Sequence, residues 1–130
     1  MKSSVWNSEV RSHEVDCQGI VNNASYLNYF DHARSLNLKE NDIDWHQSSK
    51  KGLNLVLSSS EIKFIRPLLP FDKFLIETKV SLSGKMKILF EQSVFDEGKK
   101  NLYCSSKNYV ACFDSNTKKP IPIKVFFEKL

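Results

Sequence analysis

Val15-Asp16-Cys17-Gln18-Gly19-Ile20-Val21-Asn22-Asn23-Ala24-Ser25-Tyr26 is the stretch around which the rest of this 130-residue chain is arranged. Asp16-Cys17-Gln18-Gly19 has the form of a type I turn, with aspartate at the first position and glycine at the fourth. Asn22 suits an N-cap. Behind it Tyr26, Tyr29, Phe30, Ala33 and Leu36 recur at helical spacing. The spacing predicts a helix from Asn22 or Asn23 to Leu38 that buries this stripe. Asp31 and Arg34 can pair at i, i+3 on its outer side. A helix N-terminus offers unsatisfied N–H groups and the positive end of a dipole. A carboxylate in the turn just ahead of it can therefore address the same carbonyl group as the first helical amide.

Outward from this stretch, residues 4–15 read as an irregular strand carrying Val5, Val10 and Val15. Residues 41–51 can hold a short second helix ending at Gly52. From there the hydrophobic period drops to two. Leu53, Leu55 and Leu57 alternate, and Ile62 and Phe64 continue a long strand up to Arg66-Pro67. Phe74, Ile76, Thr78, Val80 and Leu82 mark the next strand, and Ile88, Phe90 and Val94 the one after it. Residues 103–113 alternate again, with Tyr109, Ala111 and Phe113 on one face. Ser83-Gly84, Asp96-Glu97-Gly98 and Asp114-Ser115-Asn116 supply the turns. Residues 121–130 carry no decisive pattern. The result is a single α+β domain over 1–130, with about five antiparallel strands and one long helix. A sheet covered by one helix keeps an open face or edge, which suits a second copy of the chain.

Bulk properties narrow the function classes. At 130 residues the chain can bury one core but not two. No apolar run approaches the roughly 18 residues of a membrane span. The first ten residues contain no apolar h-region, so the expectation is a cytoplasmic protein. Cys17, Cys104 and Cys112 form no CxxC pair and would leave one thiol over, which fits reduced cysteines. With His13, His32 and His46 scattered along the chain, no metal site is expected. The net charge of +4 rests on lysine pairs at Lys50-Lys51, Lys85 with Lys87, Lys99-Lys100 and Lys118-Lys119. These either protect sheet edges and solubility or attract a phosphorylated ligand. No basic helix or aromatic-interleaved basic stripe appears, so nucleic acid is not an expected partner. GxSxG is absent, which argues against an α/β-hydrolase.

The motif Asp16-x-x-Gly19-x-Val21-Asn22-Asn23-x-x-Tyr26-Leu27-x-Tyr29-Phe30 resembles the active-site segment of hotdog-fold acyl-CoA thioesterases of the 4-hydroxybenzoyl-CoA thioesterase-like branch. The resemblance continues through Ala33-Arg34, Ile62-Lys63-Phe64-Ile65-Arg66-Pro67 and Tyr109-Val110-Ala111-Cys112-Phe113-Asp114. It implies a hotdog fold, with the curved antiparallel sheet wrapped around the central helix. It also implies homodimers or homotetramers with active sites at the subunit interface. Asp16 matches the catalytic carboxylate, as nucleophile or general base. The backbone amide of Asn23 matches the oxyanion donor, and Gly19 the turn glycine that permits close approach. Arg66 and Lys63, then Lys85, are candidates for the coenzyme A phosphates. Ser59 is a candidate cleft-lining residue, and Tyr26 a candidate support for the turn through its hydroxyl.

Coenzyme A would enter as part of the substrate, with no separate cofactor. Ile20 stands where some relatives carry histidine, and Asn22-Asn23 where others carry a Tyr-His pair, so the acyl group stays open. Two alternatives remain on the residues alone. One is a thioesterase acting on acyl carrier protein, whose acidic surface would meet the lysine pairs. The other is a non-catalytic acyl-CoA-binding protein.

Overall fold

Turn chemistry sets the order of the strands. Asp96 accepts from the amide of Lys99 through its carbonyl and from the amide of Lys100 through its carboxylate, closing one hairpin. Asp114 does the same for Lys118 and Asn116 in the next. Gly84 closes a third at positive φ. The computed structural model describes residues 1–128.

The elements run β1 (Ser4–Glu9), α1 (Asn23–Glu40), α2 (Trp45–Lys50), β2 (Leu53–Phe64), β3 (Lys73–Ser83), β4 (Lys87–Asp96), β5 (Leu102–Asp114), β6 (Lys119–Ile121) and α3 (Ile123–Glu128). A 3-10 turn at Ser12–Glu14 follows β1. The irregular first strand therefore stops at Glu9, and Val15 instead bridges to Val21. All strand pairs are antiparallel, in the order β1-β3-β4-β5-β2, with β6 added beside β5. This is the hotdog arrangement, a curled sheet carrying one long helix, with β6 beyond the five strands expected. β6 and α3 also occupy most of the stretch 121–130 that had no decisive pattern. Its last two positions lie outside the described residues.

The register of β2 slips between Leu57 and Ser59. Leu53 and Leu55 are turned in ahead of the slip, and Ser60 and Ile62 after it, while Leu57 is exposed. A bulge reverses the faces of a strand in this way. The change of parity from Leu57 to Ile62 in the sequence is its trace. On β5 the buried face is Cys104, Ser106, Asn108, Val110 and Cys112. Tyr109, Ala111 and Phe113 share the half-exposed outer face.

α1 lies on the inner face of the sheet. Asn22 caps it by accepting from the amide of Ala24 at 2.9 Å. Tyr26, Tyr29, Phe30 and Ala33 are buried as the spacing predicts, but Leu36 is only half-buried. Arg34 departs further from expectation. Its side chain is 10% exposed against 78% for Asp31, so the pair at 3.5 Å spans from core to surface instead of lying on the outer side.

Arg34 turns inward because Gln92 on β4 offers it an acceptor at 3.1 Å. Gln92 also donates to the Phe30 carbonyl at 3.0 Å and to Thr78 at 3.1 Å, and accepts from Asn108 at 3.0 Å. Asn108 in turn accepts from Ser60 on β2. This buried polar belt ties α1 to β3, β4, β5 and β2. It divides the core into two apolar clusters, one around Tyr29, Phe30, Phe74 and Val94 and one around Leu38, Ile88, Phe90 and Phe126. No helix among the described residues is long and apolar enough to cross a membrane.

Candidate active site

The Asp16 turn is a short hairpin loop. The Asp16 carbonyl accepts from the Gly19 amide at 3.1 Å, and the Asp16 amide donates to the Ile20 carbonyl at 2.9 Å. Gly19 has φ +78°, so the loop is a type I turn followed by a left-handed residue, which favours glycine. A Cβ at Gly19 would meet nothing within 4 Å. Within one chain it is the backbone conformation, and not close approach, that calls for glycine. One carboxylate oxygen of Asp16 accepts from the Gln18 amide at 2.8 Å, which fixes the side chain over its own turn. The other oxygen makes no hydrogen bond among the described residues.

The helix start completes the arrangement. The Asn22 amide donates to the Glu14 carbonyl at 2.8 Å. The Ala24 amide is taken by the Asn22 side chain and the Ser25 amide by the Asn22 carbonyl. The Asn23 N–H is left with no partner among the described residues. Asn23 lines a cleft of about 240 Å³, bounded by Ile20, Val21, Asn23 and Tyr26 on one side and by residues 64–67 on the other. A free N–H at the positive end of an eighteen-residue helix is a ready donor to a carbonyl oxygen that gains negative charge.

The cleft wall is braced from beneath. The rings of Tyr26 and Phe64 meet edge to face at 5.3 Å between centroids. The Tyr26 hydroxyl accepts from the Leu68 amide at 3.4 Å, so it supports the β2–β3 connection and not the Asp16 turn. Burial pushes the Tyr26 phenol upward and keeps it neutral. Arg66 stands at the rim, with one guanidinium nitrogen on the Asn101 carboxamide at 2.9 Å.

The fold thus gathers Asn23, Tyr26 and Arg66 around the cleft and sets Asp16 and Gly19 in the hairpin that forms one wall. It does not gather the others within one chain. Lys63 and Ser59 are exposed on β2 and line no part of the cleft. Lys85 lies in the β3–β4 turn, where its carbonyl accepts from Ile123 among the residues around the far apolar cluster.

Glu14 was not among the candidate residues. Its side chain is buried between Arg11 and Tyr29, two residues ahead of Asp16. The signal was present as Arg11-x-x-Glu14, an i, i+3 pair of opposite charge. Of the thiols, Cys17 is exposed in the turn, while Cys104 and Cys112 are buried. Burial pushes the Cys104 thiol up to about 12. A second cleft, of about 340 Å³, lies along the other half of α1 and is lined by Asp31, Arg34, Trp45 and Leu57 among others.

Comparison with known proteins places this geometry in a family. Residues 10–130 match the family model described as the thioesterase-like superfamily. The acyl-acyl carrier protein thioesterase ATL2 of Arabidopsis thaliana is 30% identical over 122 residues, which cover 92% of this chain and 65% of that protein. The related ATL3 is 34% identical over 87 residues, covering 67% of this chain and 46% of that one. The chain therefore spans about half to two thirds of the length of these relatives. Among solved structures, a 1,4-dihydroxy-2-naphthoyl-CoA thioesterase from Synechocystis superposes with a TM-score of 0.88 at 15% identity, covering 98% of this chain and 93% of that one. The DHNA-CoA thioesterase from Staphylococcus aureus gives 0.89 at 19% identity, covering 99% and 86%. At these identities the superpositions establish the fold.

Proposed function

The chain belongs to the thioesterase-like superfamily, and from that premise we propose that it hydrolyses an acyl thioester at the cleft beside the Asp16 turn. The observation that carries this reading is the unpartnered Asn23 N–H at the first position of α1, directly behind a turn that presents a carboxylate. The thioester carbonyl oxygen sits on the Asn23 amide, and the developing oxyanion is stabilised there.

Asp16 acts on the carbonyl carbon in one of two ways. As nucleophile it expels the thiolate and forms a mixed anhydride that water then cleaves. As general base it takes a proton from the attacking water. Either route yields free acid and thiol and uses no histidine.

Coenzyme A thioesters are the first substrate class, with Arg66 at the rim available to a phosphate. Thioesters of acyl carrier protein are the second reading. The observation in its favour is that both Arabidopsis relatives carry that description. Among the described residues the outer edge of β2 has no partner strand, and Val56 and Leu57 are exposed on it. Antiparallel pairing of two β2 edges would form a dimer and bring the lysine-rich turns of one copy, Lys85 among them, toward the cleft of the other.

The test is thiol release from matched coenzyme A and carrier-protein thioesters by the wild type and Asp16→Asn. The variant is expected to lose about a thousandfold in turnover with its oligomeric state unchanged. Undiminished turnover in Asp16→Asn would remove Asp16 from the chemistry.

A further inference from the structure

We infer that Glu14 is the positioning residue of this site, the group that holds the Asp16 turn and the Asn23 amide in one fixed relation. The inference rests on the thioesterase reading for its catalytic meaning, though its geometry stands independently.

Each half of the site is locally built; they adjoin at Val21 and Asn22, and Leu68 links them by accepting from the Val21 amide and donating to the Tyr26 hydroxyl. The Asp16 hairpin closes on itself through Val15, Val21 and Ile20. The helix start closes on itself through the Asn22 cap. Six residues lie between Asp16 and Asn23, and the Leu68 bonds are one tie across them. Glu14 supplies the second tie. Its carbonyl accepts from the Asn22 amide at 2.8 Å, one residue before the free Asn23 N–H, and from the Ser25 hydroxyl at 3.4 Å. Its carboxylate accepts from the Tyr29 hydroxyl at 2.8 Å, two turns into the helix. The same carboxylate takes the Arg11 amide at 2.8 Å and the Arg11 guanidinium at 2.7 and 3.1 Å.

One residue therefore bonds to the segment entering the turn, to the N-cap and to the body of α1. Glu14 is 6% exposed and Tyr29 1%, so the bond between these two is shielded from water. The Tyr29 ring is itself wedged against Phe74 and Trp6. The N-cap bonds run through the Glu14 carbonyl, while the carboxylate ties the Arg11 segment to Tyr29 in α1 and so holds that carbonyl in place. These contacts place the carboxylate and the oxyanion donor on one rigid frame, and small displacements of such groups are costly in rate.

Glu14→Gln keeps the size of the side chain and an acceptor for Tyr29 but removes the charge that gathers Arg11. Tyr29→Phe removes the other end of the tie without a cavity. Neither residue lines the cleft. Steady-state kinetics on folded, active-site-normalised protein should show kcat lowered about tenfold in each variant, with KM within about twofold. The double variant should be no slower than Glu14→Gln alone, because both cut one connection. Amide hydrogen exchange supplies a readout that does not depend on turnover. In Glu14→Gln the Asn22 amide should exchange at least about tenfold faster, while Ile76 and Val94 in the sheet keep their protection.

Unchanged kcat with unchanged Asn22 exchange overturns the inference. So does a uniform loss of protection across the core with full kcat in the folded fraction, since that is a stabilising role only. A wild type that cleaves no thioester removes the thioesterase reading. The exchange pattern then still decides whether Glu14 holds the turn to the helix.

Discussion

The two halves of α1 use polar groups for different ends, partly exposed in the first and buried in the second. In the N-terminal half, Glu14, Arg11, Asn22 and Tyr29 fix backbone positions at the surface of the core, and their bonds converge on one amide left free. In the C-terminal half, Arg34, Gln92, Thr78 and Asn108 bond to one another across three strands and leave no buried side-chain polar atom without a partner among the described residues. The first arrangement aims; the second braces. Both halves own a cleft: Asn23 at the start of α1 lines the N-terminal one, and Trp45 at the start of α2 lines the other. On the proposed reading the smaller cleft is the site, because the Asp16 hairpin walls that one and not the larger.

The contrast can be broken most forcefully at Gln92. Gln92→Leu strips partners from Arg34, Thr78, Asn108 and the Phe30 carbonyl at once. Chemical denaturation should show a loss of roughly 3 kcal/mol or more, since buried groups left unpaired carry the full desolvation penalty. Turnover per folded molecule should stay within about twofold, because the belt is remote from the Asn23 amide. A large fall in kcat without a fall in stability would mean that the two halves are not separable.

Asn22→Ala is a smaller perturbation with the opposite signature. Loss of the cap should lower stability by about 1 kcal/mol, measured by urea midpoint. It should lower kcat several-fold, because the Ala24 amide is freed beside Asn23. Acid should produce the smallest effect. Burial alone would raise the Glu14 carboxyl, but hydrogen bonds from Arg11 and Tyr29 outweigh it and hold the group below its ordinary range. A depressed carboxyl stabilises the fold above its unfolded pKa and loses that contribution as pH falls through the folded value. Hydrogen exchange on acidification through the carboxylate range should therefore loosen Asn22 and Ser25 before Ile88 and Phe90. The reverse order would place the acid-sensitive tie elsewhere.

How legible each half was in the sequence follows from the reach of its interactions. The helix from Asn23, its cap and most of its buried stripe could be read because capping and helical periodicity act within a few residues. The strands and their turns could be read for the same reason. The Asp16 turn was legible down to its glycine, although the glycine answers to φ +78° and not to a crowded neighbour. Arg34 was placed on the outer side because the i, i+3 rule sees only Asp31. Its inward acceptor, Gln92, lies 58 residues away. Glu14 escaped because its bonds run both to Arg11, three residues back, and to Tyr29, fifteen residues ahead. Lys63, Ser59 and Lys85 were grouped by analogy, and strand register decides where they sit. The bulge in β2 turns Ser60 inward beside an exposed Ser59.

Cys17 has a practical consequence. It is exposed in the Asp16 turn, whereas Cys104 and Cys112 are buried, and the Cys104 thiol is pushed up to about 12. Accessibility therefore selects Cys17 for reaction with a thiol reagent. The chain comes with its own attachment point for a single maleimide fluorophore, one residue from Asp16. Engagement of a thioester, and its departure, can be followed by emission from unsubstituted protein.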